Sequence, residues 1–188
     1  MIVSILESYH VRYSSQVVTM EGLFVLDTGA LLGKWTEARQ DAEFLTTHSV
    51  IEELHNRPSR TRAQRLIDIN RLSVQDPLPK YLKKVRTASS RTGDLDVLSD
   101  TDVELLALGI WKDDQGFDVT IVSSDFALLN TAKSIGLSVE EIGKKMTHQI
   151  KWMLRCPACG HQNSLSASRQ CPVCGTKMKR IPRDRERI

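Results

Sequence analysis

Gly22-Leu23-Phe24-Val25-Leu26-Asp27-Thr28-Gly29 decides how this 188-residue chain is read. Residues 22–26 form a short apolar run of the kind that makes a buried strand. An acid follows it with no spacer. The arrangement returns at Val119-Thr120-Ile121-Val122, which passes through Ser123-Ser124 into Asp125. Between and after these runs the pattern is helical. Thr47 or Ser49 caps a short helix through Val50 and Leu54, and Ser49 with Glu52 fits a capping box. Pro58 suits the first turn of a helix that buries Leu66 and Ile67 and turns Arg60, Arg62 and Arg65 outward. A strand follows over 72–75. Pro79 opens another helix, which fades before Gly93. Ser99 caps a helix over about 100–112 with the apolar stripe Val103, Leu105, Leu106, Leu108 and Ile110. After Asp125 comes a helix closed by Gly136, then a short strand over 137–139. Strands alternating with helices predict an α/β sandwich around a central parallel sheet.

In such a sheet, ligands bind beyond the C-terminal strand ends. Asp27 and Asp125 occupy those positions, and right-handed crossovers let the helix-borne Glu53 and Asp102 reach the same rim. Two carboxylates about 4 Å apart repel by roughly 4 kcal/mol at an effective dielectric near 20. A set of four therefore calls for a cation, and oxygen-only ligands favour Mg²⁺ or Mn²⁺. Such ions activate a water and stabilise the leaving oxygen of a phosphodiester. Each acid also has a structural reading. Asp125 suits an N-cap, Asp102 a first-turn charge, and Asp94, Asp96 and Asp100 suit loops or caps. Glu52 competes with Glu53. Thr28 and Ser124, each beside a strand-end acid, are the hydroxyls expected at the site.

All four cysteines lie in two matching pairs, Cys156-Pro157-Ala158-Cys159-Gly160 and Cys171-Pro172-Val173-Cys174-Gly175. Each pair makes a tight knuckle that aims two sulfurs at one point. Four thiolates close a tetrahedron, so one structural Zn²⁺ is expected, with no open position for catalysis. Disulfides would need an oxidising compartment, and a redox motif needs one pair rather than two. The first twenty residues hold Glu7, His10 and Arg12 and no apolar signal core, so the cytoplasm is the expected location, and no run is long enough to span a membrane.

The net charge of +3 hides an asymmetry. Residues 150–188 carry nine Lys or Arg against two acids, while the body is net acidic. That contrast predicts a grip on polyanion by Arg155, Arg169, Lys177, Lys179 and Arg180. The expected organisation is an N-terminal extension over 1–19, a nuclease domain over 20–149, a zinc ribbon over 150–180 and a basic tail over 181–188.

Four stretches together resemble PIN-domain ribonucleases: residues 24–32 as the first strand, 46–54 as the second motif, 93–108 as the third and 121–132 as the fourth. With the ribbon that begins at Trp152-Met153-Leu154-Arg155-Cys156, the chain resembles the archaeal Nob-type branch. The resemblance implies a PIN-like α/β/α sandwich and metal-dependent cleavage of single-stranded precursor rRNA at the 3′ end of the small-subunit rRNA, within a pre-ribosomal particle. It carries the family's acids onto Asp27, Glu53, Asp102 and Asp125, and implies 3′-hydroxyl and 5′-phosphate products. Two other readings stay open: a VapC-class toxin ribonuclease, which usually lacks a ribbon, and a non-catalytic RNA-binding adaptor.

Overall fold

The structure is a computed structural model that describes residues 22–143, 145–165 and 168–187. The extension expected over 1–19 lies outside them. The first part of the chain runs β1 (Leu23–Leu26), α1 (Thr28–Leu32), a 3-10 turn (Trp35–Ala38), β2 (Phe44–Thr46), α2 (His48–Glu52), α3 (Arg57–Asp68) and β3 (Leu72–Val74). It continues through α4 (Pro79–Thr92), α5 (Asp100–Asp114), β4 (Val119–Ser123), α6 (Phe126–Ser134) and β5 (Ser138–Glu141). A second sheet holds β6 (His148–Arg155), β7 (Gln162–Asn163) and β8 (Lys179–Arg187).

The first sheet is parallel throughout, in the order β3-β2-β1-β4-β5. The chain steps outward from β1 in one direction, then restarts at β4 on the other side. The topological switch point therefore falls between β1 and β4, where Leu26 is in register with Val122. Both strands are covered on both faces, and Val25, Leu26, Ile121 and Val122 are fully buried. Helix α5 is more deeply enclosed than a one-sided stripe implies, since every residue from Leu105 to Ile110 is buried. Gly109 explains how it fits: a Cβ there would come within 2.8 Å of Ile121 Cδ1 on β4. Lacking one, α5 can lie close against the sheet.

Two local expectations change. Thr47, rather than Ser49, caps α2, its hydroxyl accepting from the Val50 N–H at 3.4 Å. The segment expected as a tail is strand β8, antiparallel to β6 from His148↔Arg187 to Arg155↔Lys179 with an irregularity at Lys151/Trp152. The ribbon's β6 thus begins at His148, two residues before the expected boundary. Charged side chains are no obstacle to such a pair, because backbone hydrogen bonds make the ladder and the side chains stay in solvent.

The ribbon docks on the helical layer through buried polar groups. Asn130 on α6 treats Ile150 as a strand neighbour would: its Nδ2 donates to the Ile150 carbonyl and its Oδ1 accepts from the Ile150 N–H, both at 2.8 Å. The same Nδ2 donates to Asp94 Oδ2 at 2.6 Å. Asp94, only 1% exposed, forms an ion pair with Arg180 of β8. The Arg180 guanidinium also lies 4.1 Å from the centre of the Trp152 ring. Beside this network Gly93 ends α4 with a φ of +82°, and a Cβ there would meet Leu165 Cδ1 at 2.0 Å.

Candidate active site

Asp27 stands at the C-terminal end of β1, between β4 and the start of α1. Its Oδ1 accepts from the Thr28 N–H at 2.5 Å and its Oδ2 from the Ser123 hydroxyl at 2.6 Å. Ser123 is fully buried, and its oxygen accepts in turn from the Asp125 N–H at 2.9 Å. One hydroxyl thus ties the acids of two neighbouring strands together. Thr28 supplies the next link, donating from Oγ1 to Glu53 Oε2 at 2.7 Å. That bond distinguishes the adjacent glutamates: Glu53 enters the network, whereas Glu52 lies by Asp76 and Glu104 in a separate shallow cleft.

The other acids serve their helices and the site at once. Asp125 is the N-cap of α6, its Oδ1 accepting from Ala127 N at 2.6 Å and Leu128 N at 3.3 Å. Asp102 closes a reciprocal capping box on α5: its Oδ2 accepts from the Ser99 N–H and hydroxyl at 2.8 Å, while Ser99 Oγ accepts from Asp102 N at 3.1 Å. In each, one carboxylate oxygen is fixed and the other has no hydrogen bond among the described residues. Glycine at 29 keeps the rim compact, since a Cβ would lie 3.0 Å from Ser124 Oγ and 3.6 Å from Asp27 Oδ2.

Electrostatics couples the four. Burial holds the Asp27 carboxyl above the usual carboxylate range; the Ser123 and Thr28 donors offset part of this, and the charges of Asp102 and Glu53 add to it. Asp102 is raised likewise, first by burial, with Ser99 opposing and the charges of Asp125 and Glu53 reinforcing. Oxygen donors fixed on one side and open on the other, in a field of like charge, fit a hard divalent cation. The acids do not crowd as the cysteines do. Among the described residues, the cysteines are the group whose ligand atoms all lie within 4.8 Å of one another.

The cysteine set fits one tetrahedral ion. Cys156 Sγ lies 3.4 Å from Cys174 Sγ and Cys159 Sγ 3.5 Å from Cys171 Sγ. Zn–S bonds of ~2.3 Å would place tetrahedral sulfurs about 3.8 Å apart, close to this spacing. The knuckles match: Gly160 N donates to Cys156 O at 3.0 Å and Gly175 N to Cys171 O at 2.9 Å, and both glycines have positive φ.

The five expected polyanion contacts divide. Arg155, Lys177 and Lys179 are exposed and make no ion pair among the described residues. Arg169 pairs with Asp96 at 2.8 Å, and Arg180 is committed to Asp94. Sequence reasoning missed Ser123, Asn130 and the role of Asp94. The sequence pointed to a hydroxyl before Asp125 but named Ser124, whereas β4 ends at Ser123 and turns that side chain inward; nothing local marked the other two.

Residues 24–111 match the family model of the PIN domain of ribonuclease. The chain is 31% identical to Endoribonuclease Nob1 of Pyrococcus abyssi over 76% of this chain and 86% of that protein. It is 36% identical to Ribonuclease VapC3 of Aeropyrum pernix over 61% of this chain and 82% of that protein. It is also 38% identical to the 20S-pre-rRNA D-site endonuclease nob1 of Schizosaccharomyces pombe, over 45% of this chain and 21% of that longer protein. The P. abyssi match runs well beyond the PIN segment in length, and this chain carries the four-cysteine ribbon as well. A PIN fold with its acids at the switch point, joined to that ribbon, makes the chain a member of the Nob1 family of PIN-domain endoribonucleases.

Proposed function

We propose that this endoribonuclease cuts single-stranded precursor rRNA at the 3′ end of the small-subunit rRNA, in the cytoplasm and on a pre-ribosomal particle. Asp27, Glu53, Asp102 and Asp125 hold one or two Mg²⁺ or Mn²⁺ ions. The ribbon holds one structural Zn²⁺ on Cys156, Cys159, Cys171 and Cys174. The observation that carries the reading is the hydrogen-bonded line Glu53–Thr28, Asp27–Ser123–Asp125 at the switch point. The names of the P. abyssi and S. pombe relatives support the substrate class.

Divalent ions supply activation of the attacking water and neutralisation of the charge that develops at phosphorus. The chain's own groups prepare for that. Ser123 fixes the Asp27 carboxylate against β4, and Thr28 draws Glu53 toward it. The caps of α5 and α6 fix Asp102 and Asp125 and leave one oxygen of each available. Exposed Arg155, Lys177 and Lys179 supply phosphate affinity from the ribbon, which favours an RNA grip built into the chain.

The test is incubation with an RNA fragment spanning the mature 3′ end of the small-subunit rRNA, with Mn²⁺ or with no divalent ion, followed by end mapping. Cleavage at that end should require Mn²⁺ and vanish in Asp27→Asn while the fold persists. Full activity of Asp27→Asn would overturn the assignment of the acids. Equal cutting of unrelated single strands would favour a general ribonuclease closer to the A. pernix relative.

A further inference from the structure

An open cleft begins at Phe126, the residue after Asp125, and the chemistry above leaves it unused. A cavity of 440 Å³ lies between the first turn of α6 and the inner face of the ribbon, with Phe126 and Asn130 on one side and Trp152 and Arg185 on the other. Residues 145–148, which connect the two modules, line it as well. A second cavity of 450 Å³ shares those connecting residues and reaches Arg187. Cavities of this size hold on the order of one nucleotide each.

Phe126 follows Asp125 directly, and 42% of it is exposed. An aromatic ring left in solvent on the first turn of a helix adds little to the fold. Lys145, Arg185 and Arg187 are exposed and make no ion pair among the described residues. Among the described residues that line the cleft the acid is Asp94, which is buried and paired with Arg180. The lining is therefore positive, with an aromatic face one residue from the acid site. Flat aromatic faces take bases that are not already stacked in a duplex, and free cations take the phosphates between them.

We propose that this cleft is a nucleotide subsite for single-stranded RNA entering or leaving the acid site. Phe126 stacks the base beside the scissile phosphate, while Lys145, Arg185 and Arg187 take the phosphates that follow. The inference rests on the reading of the four acids as an RNA-cutting site, but its test does not depend on cleavage.

A fluorescein-labelled single-stranded oligouridine of about twelve nucleotides is titrated by anisotropy against the full chain, without added divalent ion and over a range of salt. Phe126→Ala should weaken binding by about tenfold and leave the salt slope unchanged; Phe126→Trp should restore the affinity. Lys145→Ala with Arg185→Ala should flatten the slope by ~1.4, at about 0.7 per phosphate contact on a single strand. Suppose instead that both variants bind as wild type while Lys177→Ala with Lys179→Ala flattens the slope. The strand then crosses the ribbon alone, so the cleft is rejected and the proposed function stands. Failure of the wild type to bind any single strand would reject both.

Discussion

Ser123 holds two elements of the site with one oxygen, donating to Asp27 and accepting from the Asp125 backbone. Ser123→Ala leaves a buried acceptor and a backbone donor short of partners, which costs about 1–3 kcal/mol of stability. On the proposed reading Ser123 orients metal ligands without being one, so the same change should slow single-turnover cleavage by about 10–100-fold while oligouridine binding stays intact. Asp27 carries the opposite balance, since burial and like charge penalise its ionised form. Its native pKa lies above that of an ordinary aspartate, so between the two the native state binds more protons than the unfolded chain. The contribution of Asp27 to stability is therefore most favourable at low pH and is lost as pH rises through the native pKa. Without divalent ions, Asp27→Asn should melt higher than wild type at neutral pH, and the gap should shrink on acidification. Mn²⁺ should raise the wild-type melting temperature more than that of the variant. Both strand-end acids were legible from their places after apolar runs. The hydroxyl that joins them was not: Ser123 and Ser124 are chemically equal in sequence, and only the end of β4 decides which one turns inward.

At the scale of elements, α5 shows a structural role and a site role in one side chain. Asp102 completes the capping box, so the bond that starts the helix also aims the carboxylate. Ser99→Ala should cost about 1 kcal/mol in chemical denaturation and, by freeing Asp102, reduce cleavage as well. A purely structural cap would show only the first effect. Helices α3 to α6 were legible because proline, serine and glycine mark their ends and apolar residues recur at helical spacing. Strand β2 escaped notice because Phe44, Leu45 and Thr46 are all buried and show no alternation before the Thr47 cap. Strands β6 and β8 escaped it for another reason. The residues of β8 are mostly charged and exposed, so pairing with β6, rather than an alternating apolar face, makes it a strand.

Two cores of unequal size support the whole molecule. One spans both faces of the parallel sheet; the other is Leu154, Cys156, Cys171 and Met178, with Leu165 packed against it. Four buried residues cannot hold a ribbon without a metal, so a chelator that strips the ion from the cysteines should abolish the amide dispersion of the ribbon and spare that of the PIN domain. Docking is a separate matter, in which the Asp94–Arg180 pair joins the Asn130 bonds to Ile150 and the Arg169–Asp96 pair. Arg180→Ala leaves the Asp94 carboxylate buried with only Asn130 beside it, a change worth about 3–5 kcal/mol in broken buried pairs. The expected outcome is a larger radius of gyration by X-ray scattering, with the sheet core still folded. The return of β8 along β6 has a consequence for synthesis. On the ribosome the N-terminal domain emerges first and folds as a unit. Strand β7 reaches only Leu154 and Arg155, so most of β6 then waits for β8, which is translated only after both knuckles. A nascent chain thus has its acids assembled before Arg180, Arg185 and Arg187 arrive to build the far wall of the cleft. Until those residues emerge, a young nuclease beside abundant rRNA lacks the surface that would hold a strand in place.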